Sequence, residues 1–256
     1  GMTGTFSPPM RQRGTFSAAA TRRPSARALT GAVLLVVTAL SIALRLNAPA
    51  FLAADWNVDD ALFAKLADTL LEGEWLGTYD YLTLSKGPGY PIFMAVAYKA
   101  HLPLKFAEHA VHLLAAATIA LALAKIGRSR LLGVATYCVI ALDPAYLGHW
   151  SSRITRDALY GSLCLLLVGA TLLFLAYVPV LVRKGAACAV PVALVAGLAL
   201  GLLAGAYFLT RDERPWLAPT LLAAAAAGAV SWRRDGKVRL WHAGGAVVLA
   251  VLAAGW

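Results

Sequence analysis

The chain has 256 residues, 60% of them hydrophobic and 14% charged, with a formal net charge of +10. Its mean hydropathy of +0.69 is too high, and its charge too sparse, for a soluble globular domain of this length. The basic excess falls between apolar runs rather than in one patch, which argues against nucleic acid as a partner and for membrane topology.

Residues 1–28 contain Arg11, Arg13, Arg22, Arg23 and Arg27, two adjacent prolines and several Ser and Thr, the composition of a disordered basic tail. Gly1 before Met2 reads as a cloning remnant. Residues 29–256 read as one transmembrane module. A bilayer crossing needs about 20 apolar residues, and such runs are expected near 28–46, 106–124, 131–149, 158–180, 186–209, 215–232 and 240–256. The fold class is therefore an all-α membrane protein, a polytopic bundle of about seven spans. The first run has the basic flank of a signal peptide but no small-x-small cleavage site, so it is read as a retained helix. The chain stops at Trp256 inside an apolar run, so a longer natural protein is expected. Cys138, Cys164 and Cys188 lie within apolar runs without metal-type spacing and read as small hydrophobes.

Between the first two spans, Ala61, Leu62, Leu66 and Leu70 recur at helical spacing and predict an amphipathic helix over 57–72. Asn57 is its expected cap, and Asp59 and Asp60 fall in its first turn. Gly73 and Gly77 end it, and 78–89 reads as a loop. The apolar segment 90–102 is short for a crossing. If it does not cross, the basic tail, Lys125/Arg128/Arg130, Arg183/Lys184 and Arg233/Arg234/Lys237/Arg239 all face the cytoplasm, joined only by the acidic Asp235. If it crosses, most basic loops face outward. The positive-inside rule selects the first arrangement and makes 90–102 an interfacial helix on the outer face. The first outer loop (47–105), the second (150–157) and the third (210–215) then share one side.

Those loops hold the candidate chemistry. Asp59 and Asp60 are adjacent, so on a helix they point about 100° apart. One can face a cavity while the other caps or binds a partner. A carboxylate there can deprotonate an acceptor hydroxyl or hold a divalent cation such as Mg or Mn, although first-turn charge stabilisation also explains the pair. Lys86, in Ser-Lys-Gly-Pro-Gly, offers a point charge for phosphate beside glycines that allow close backbone approach. It lacks the spacing of a nucleotide-binding P-loop. Arg153 and Arg156 share a face if their segment is helical and could clamp a phosphate, with Asp157 orienting them or coordinating a cation. Interfacial snorkelling with an internal ion pair is the alternative, but arginines on the outer side run against the positive-inside tendency, which favours function. Arg211, Asp212, Glu213 and Arg214 form a mixed-charge loop expected to pair within itself, with Arg211 and Glu213 as weaker site candidates. His109 and His112, three apart at the outer end of a span, fit helix packing better than ligand contact. Glu108 is a weaker candidate beside them. His149 and His242, next to Trp150 and Trp241, read as interfacial belts.

The ordered set Asp59-Asp60-x-x-Phe-Ala, Gly73-Glu74, Lys86-Gly-Pro-Gly-Tyr-Pro and Ser152-Arg153-x-x-Arg156-Asp157 resembles membrane glycosyltransferases of GT-C fold. That family includes the protein O-mannosyltransferases and the bacterial lipid A aminoarabinose transferases. The resemblance covers about 28–180 and implies the N-terminal module only, because family members are about twice as long. It implies a polyprenyl-phosphate sugar donor, a hydroxyl acceptor, and a bacterial inner-membrane enzyme acting at the outer face with its N-terminus cytoplasmic. Asp59 matches the first acidic residue of the family's outer-loop pair, a catalytic base or acceptor-orienting group, and Asp60 stands where Glu is common. Lys86 matches a lysine near the lipid-phosphate site, Asp157 an acidic residue of the second outer loop, and Arg153 and Arg156 its basic neighbours. Two other readings remain from the residues alone: a transporter or flippase for an anionic lipid, and a non-catalytic module of a larger enzyme.

Overall fold

The computed structural model describes Gly1 and residues 25–51, 58–77, 86–148, 152–183 and 186–211. Among these residues the chain is all-helical, apart from one isolated bridge between Phe51 and Arg153. The helices are α1 (Ala26–Asn47), α2 (Val58–Leu71), α3 (Gly89–Lys99), α4 (Leu104–Ile126), α5 (Arg130–Ala141), α6 (Pro144–Leu147), α7 (Asp157–Arg183) and α8 (Ala186–Thr210). Five helical segments are long and apolar enough to cross a membrane: α1, α4, α5 with α6, most of α7, and most of α8. They coincide with the first five expected spans. The runs 215–232 and 240–256 lie outside the described residues, as do Asn57, His149 and Glu213.

Local chemistry sets the boundaries. Ser25 caps α1 by accepting from the Ala28 amide at 3.2 Å, so the helix starts at Ala26 and takes in Arg27, which the sequence had assigned to the tail. The expected span 131–149 is broken in two. Proline disfavours helix in the residue before it, and α5 stops at Ala141. Asp143 then caps α6 by accepting from Ala145 N at 2.9 Å, with Pro144 opening that short helix. α3 has 11 residues, about 16 Å at the helical rise, which is too short to cross a hydrocarbon core of about 30 Å.

α4 is the central helix. His112 meets Ser162, Gly169 lies against Ile119, and Lys125 covers Tyr177, so α4 and α7 run parallel. A Cβ at Gly169 would stand 2.9 Å from the Ile119 amide nitrogen, and one at Gly133 would stand 3.0 Å from the Ala120 carbonyl. Small residues are what let helices approach this closely in lipid; Ala115, Ala116 and Ala122 are fully buried on α4. α1 and α5 run antiparallel to α4, joined by Ser41–His109, Thr38–Tyr137 and His112–Ile140 contacts. α8 returns antiparallel to α7, where the Tyr160 and Tyr207 hydroxyls hydrogen-bond.

This arrangement puts the ends of α1, α5 and α8 and the starts of α4 and α7 at one end of the bundle. Helices α2 and α3 sit there too. Phe63 of α2 and Tyr90 of α3 meet edge-on at 5.3 Å between ring centroids, in a core with Leu159, Leu163 and Tyr207.

Candidate functional site

The two carboxylates of α2 have different fates. Asp60 is fully buried, and Arg153 binds it through its guanidinium fork, with Nη2 3.0 Å from Oδ1 and Nε 3.2 Å from Oδ2. Such a two-pronged pair is strong and geometrically specific. Asp59, one residue earlier, keeps 39% of its side chain exposed and meets Lys86 at 3.0 Å, whose own side chain is 29% exposed.

The turn carrying Lys86 is held against α8. A Cβ on Gly87 would stand 2.3 Å from the Leu209 carbonyl oxygen, and one on Gly89 would stand 2.6 Å from the Leu209 carbonyl carbon. Only glycine leaves room for that backbone approach. The glycines therefore serve packing on α8, whatever else they admit.

Arg153 and Arg156 do not share a helix face, because residues 152–156 form an irregular link before α7. Arg153 is pinned by its backbone: Phe51 N donates to the Ser152 carbonyl and Ile154 N to the Phe51 carbonyl, each at 3.2 Å. Lys105 Nζ donates to the Arg153 carbonyl at 2.5 Å. Arg156 lies over the Phe63 ring at 5.9 Å. Its Nη1 is buried without a hydrogen-bond partner, and among the described residues no carboxylate pairs with it. Asp157 sits at the start of α7 and binds Arg211 at 3.3 Å, and Arg211 also covers the Tyr160 ring at 5.1 Å. Arg211 thus makes a contact across the bundle end, while Asp212, Glu213 and Arg214, its expected partners within the loop, lie outside the described residues.

Beneath these residues lies an ionic cluster centred on Glu108. Glu108 is fully buried and accepts from Lys105 Nζ at 2.8 Å, from the Tyr90 hydroxyl at 2.7 Å and from Arg45 at 3.5 Å. Burial, with the Glu108 charge second, pushes the Tyr90 phenol far above its ordinary value, so it stays protonated and donates. Glu108 thereby ties α1, the Lys86 turn (through Tyr90) and the 152–156 link (through Lys105) to the top of α4. The i, i+3 spacing of Lys105 and Glu108 could have signalled the pair. Arg45 and Tyr90 gave no comparable signal, because their partners lie 63 and 18 residues away.

His109 and His112 are interior packing residues. His109 Nε2 meets Ser41 Oγ at 2.9 Å, His112 Nε2 meets the Ile140 carbonyl at 2.8 Å, and His112 stacks on Tyr146 at 3.6 Å. A divalent cation does not fit this donor set. Among the described residues no three Asp, Glu, His or Cys side chains converge, and Asp59, Asp60 and Asp157 each lie against a cation.

The arrangement offers two accessible carboxylates, Asp59 and Asp157, each against a cation, an arginine with unused donor capacity, and a rigid ionic base, all at one bundle end. No protein-family model, curated protein or solved structure matches this chain.

Proposed function

We propose that the chain is a membrane glycosyltransferase module of GT-C type. It transfers a sugar from a polyprenyl-phosphate donor to an acceptor hydroxyl at the non-cytoplasmic face of a bacterial inner membrane. The observation that carries this reading is the division of labour in the acidic pair: Asp60 is buried and bound by Arg153, while Asp59 stays accessible beside Lys86.

In this reading the polyprenyl tail lies in lipid against the helices and the phosphate enters at the bundle end. Arg156, with its unpaired Nη1, takes one phosphate oxygen. Lys86 exchanges Asp59 for another, which uncovers the carboxylate as the donor arrives. Asp59 then accepts the proton of the acceptor hydroxyl. The hydroxyl oxygen forms a bond to the anomeric carbon as the bond from that carbon to the phosphate oxygen breaks. The polyprenyl phosphate leaves with the electron pair, and the two cations stabilise its growing charge. Attack opposite the leaving group inverts the anomeric configuration.

Transport of an anionic lipid would need polar groups along the full length of the spans. Among the described residues the buried polar chain runs from Glu108 to His112 on α4 and gives way to Ala115 and Ala116, which favours surface chemistry over passage. Asp59→Asn tests the proposal. Loss of sugar transfer with folding intact is expected, and unchanged transfer refutes the assignment.

A further inference from the structure

Among the described residues, the charged side chains at the opposite end of the bundle are all basic. Arg27, Lys125, Arg128, Arg130 and Arg183 are all exposed there, and none makes an ion pair among the described residues. The described carboxylates on α2, α4 and α7, at the end of α2, and at Asp143 all belong to the other end. Three of the cations crowd the tight link between α4 and α5.

Arg128 holds a left-handed backbone with φ 51° just after the α4 cap. Glycine normally fills that position because a side chain there is strained. A cation thus stands where backbone sterics favour no side chain at all. Lys125 lies 4.2 Å above the Tyr177 ring, and Tyr177 is itself partly exposed. Apolar side chains are exposed within two residues of these charges, with Leu131 78% and Leu132 39% accessible.

We propose that the α4–α5 link is a docking site for the phosphate headgroup of an anionic lipid, held by Lys125, Arg128 and Arg130. The acyl chains lie against the exposed apolar face that begins at Leu131. Charge complementarity selects an anion, and the unbroken passage from cation to exposed aliphatic surface selects a lipid over a water-soluble partner. Clustered cations next to a span attract anionic headgroups in this way, and the aromatic ring of Tyr177 suits the same interfacial depth. The proposal is independent of the chemistry assigned to the other end.

The test uses the full chain in detergent and in nanodiscs. Native mass spectrometry and thermal unfolding are recorded with phosphatidylglycerol, phosphatidylcholine or glycerol phosphate. Wild type should retain phosphatidylglycerol at least tenfold more strongly than phosphatidylcholine, and its melting temperature should rise only with the anionic lipid. Arg128→Gly removes a cation and relieves the left-handed strain, so it should fold at least as well yet bind phosphatidylglycerol several-fold more weakly. Lys125→Gln/Arg128→Gly/Arg130→Gln should reduce the preference to the phosphatidylcholine level. Equal retention of both lipids by wild type overturns the proposal. So does an undiminished preference in the folded triple variant, or equal stabilisation by glycerol phosphate.

Discussion

Arg153 and Asp60 form a two-pronged ion pair in which the carboxylate is fully buried and the guanidinium side chain is 22% exposed. The pair joins α2 to the link before α7 across 93 residues of sequence. It fixes the rotation of α2, and that rotation turns Asp59 outward.

Asp59 and Asp60 should therefore respond in opposite ways to the same substitution. Asp60→Asn leaves Arg153 without its charge partner and should cost about 2–4 kcal/mol of stability, since breaking a buried pair is expensive. Asp59→Asn should leave the melting temperature nearly unchanged, because exposed pairs are worth little, and should abolish sugar transfer. Thermal unfolding alongside a transfer assay separates the two, and matching effects from both substitutions would contradict the division.

Arg156→Ala should weaken donor use more than turnover. The half-saturating concentration of polyprenyl-phosphate sugar is expected to rise tenfold or more with a smaller fall in the saturated rate, because in the proposed mechanism the contact to the phosphate forms in the ground state and strengthens as charge grows in the transition state. Normal donor affinity would remove Arg156 from the phosphate site.

Glu108→Gln strands Arg45 and Lys105 without their shared anion, and should cost about 3–5 kcal/mol. Lys105→Met/Glu108→Gln removes one cation with the anion and should recover part of that loss. Denaturation of both variants in one detergent measures the difference. A double variant less stable than Glu108→Gln alone would show that the cluster is not governed by charge balance.

Tyr90 gives the bundle a signature in alkali. Its folded value lies above the ordinary tyrosine value of 10.0, so the contribution to stability is complete below pH 10. It is lost as pH rises further, because the unfolded chain ionises while the folded chain does not. The slope from this residue is about 1.4 kcal/mol per pH unit. Tyr90→Phe should flatten the decline in unfolding free energy above pH 10 by that amount. At neutral pH it should cost about 1.5–3 kcal/mol for the lost bond to a charged acceptor. A variant with the wild-type alkaline slope would place the titration elsewhere.

Gly87→Ala drives a methyl group into the Leu209 carbonyl and should destabilise by about 1–3 kcal/mol, as overpacking does. It should also impair donor use by displacing Lys86. Gly31→Ala, which meets nothing within 4 Å, should be neutral or slightly stabilising in mid-helix. Comparing the two by thermal unfolding isolates contact from composition.

The amphipathic segment 57–72, the short helix near 90–102 and five apolar runs were legible because helical periodicity and run length are local properties. The break at Asp143-Pro144 is local as well, but the apolar residues resume to Leu147, so run length passes over it. The ends of the helices shifted by a few residues for the same reason: caps such as Ser25 act through single hydrogen bonds that hydropathy does not register.

By itself the sequence determined an apolar helical chain whose acidic and basic residues are sorted into different loops, since membrane insertion reads length, hydropathy and charge directly along the chain. Only the tertiary structure decided which carboxylate is locked and which is open, which arginine is taken up by Asp60 and which keeps unused donors, and that Glu108 underpins the site. Ion pairs and buried hydrogen bonds form between residues tens of positions apart, and their partners are chosen by how the helices pack, which no local pattern encodes.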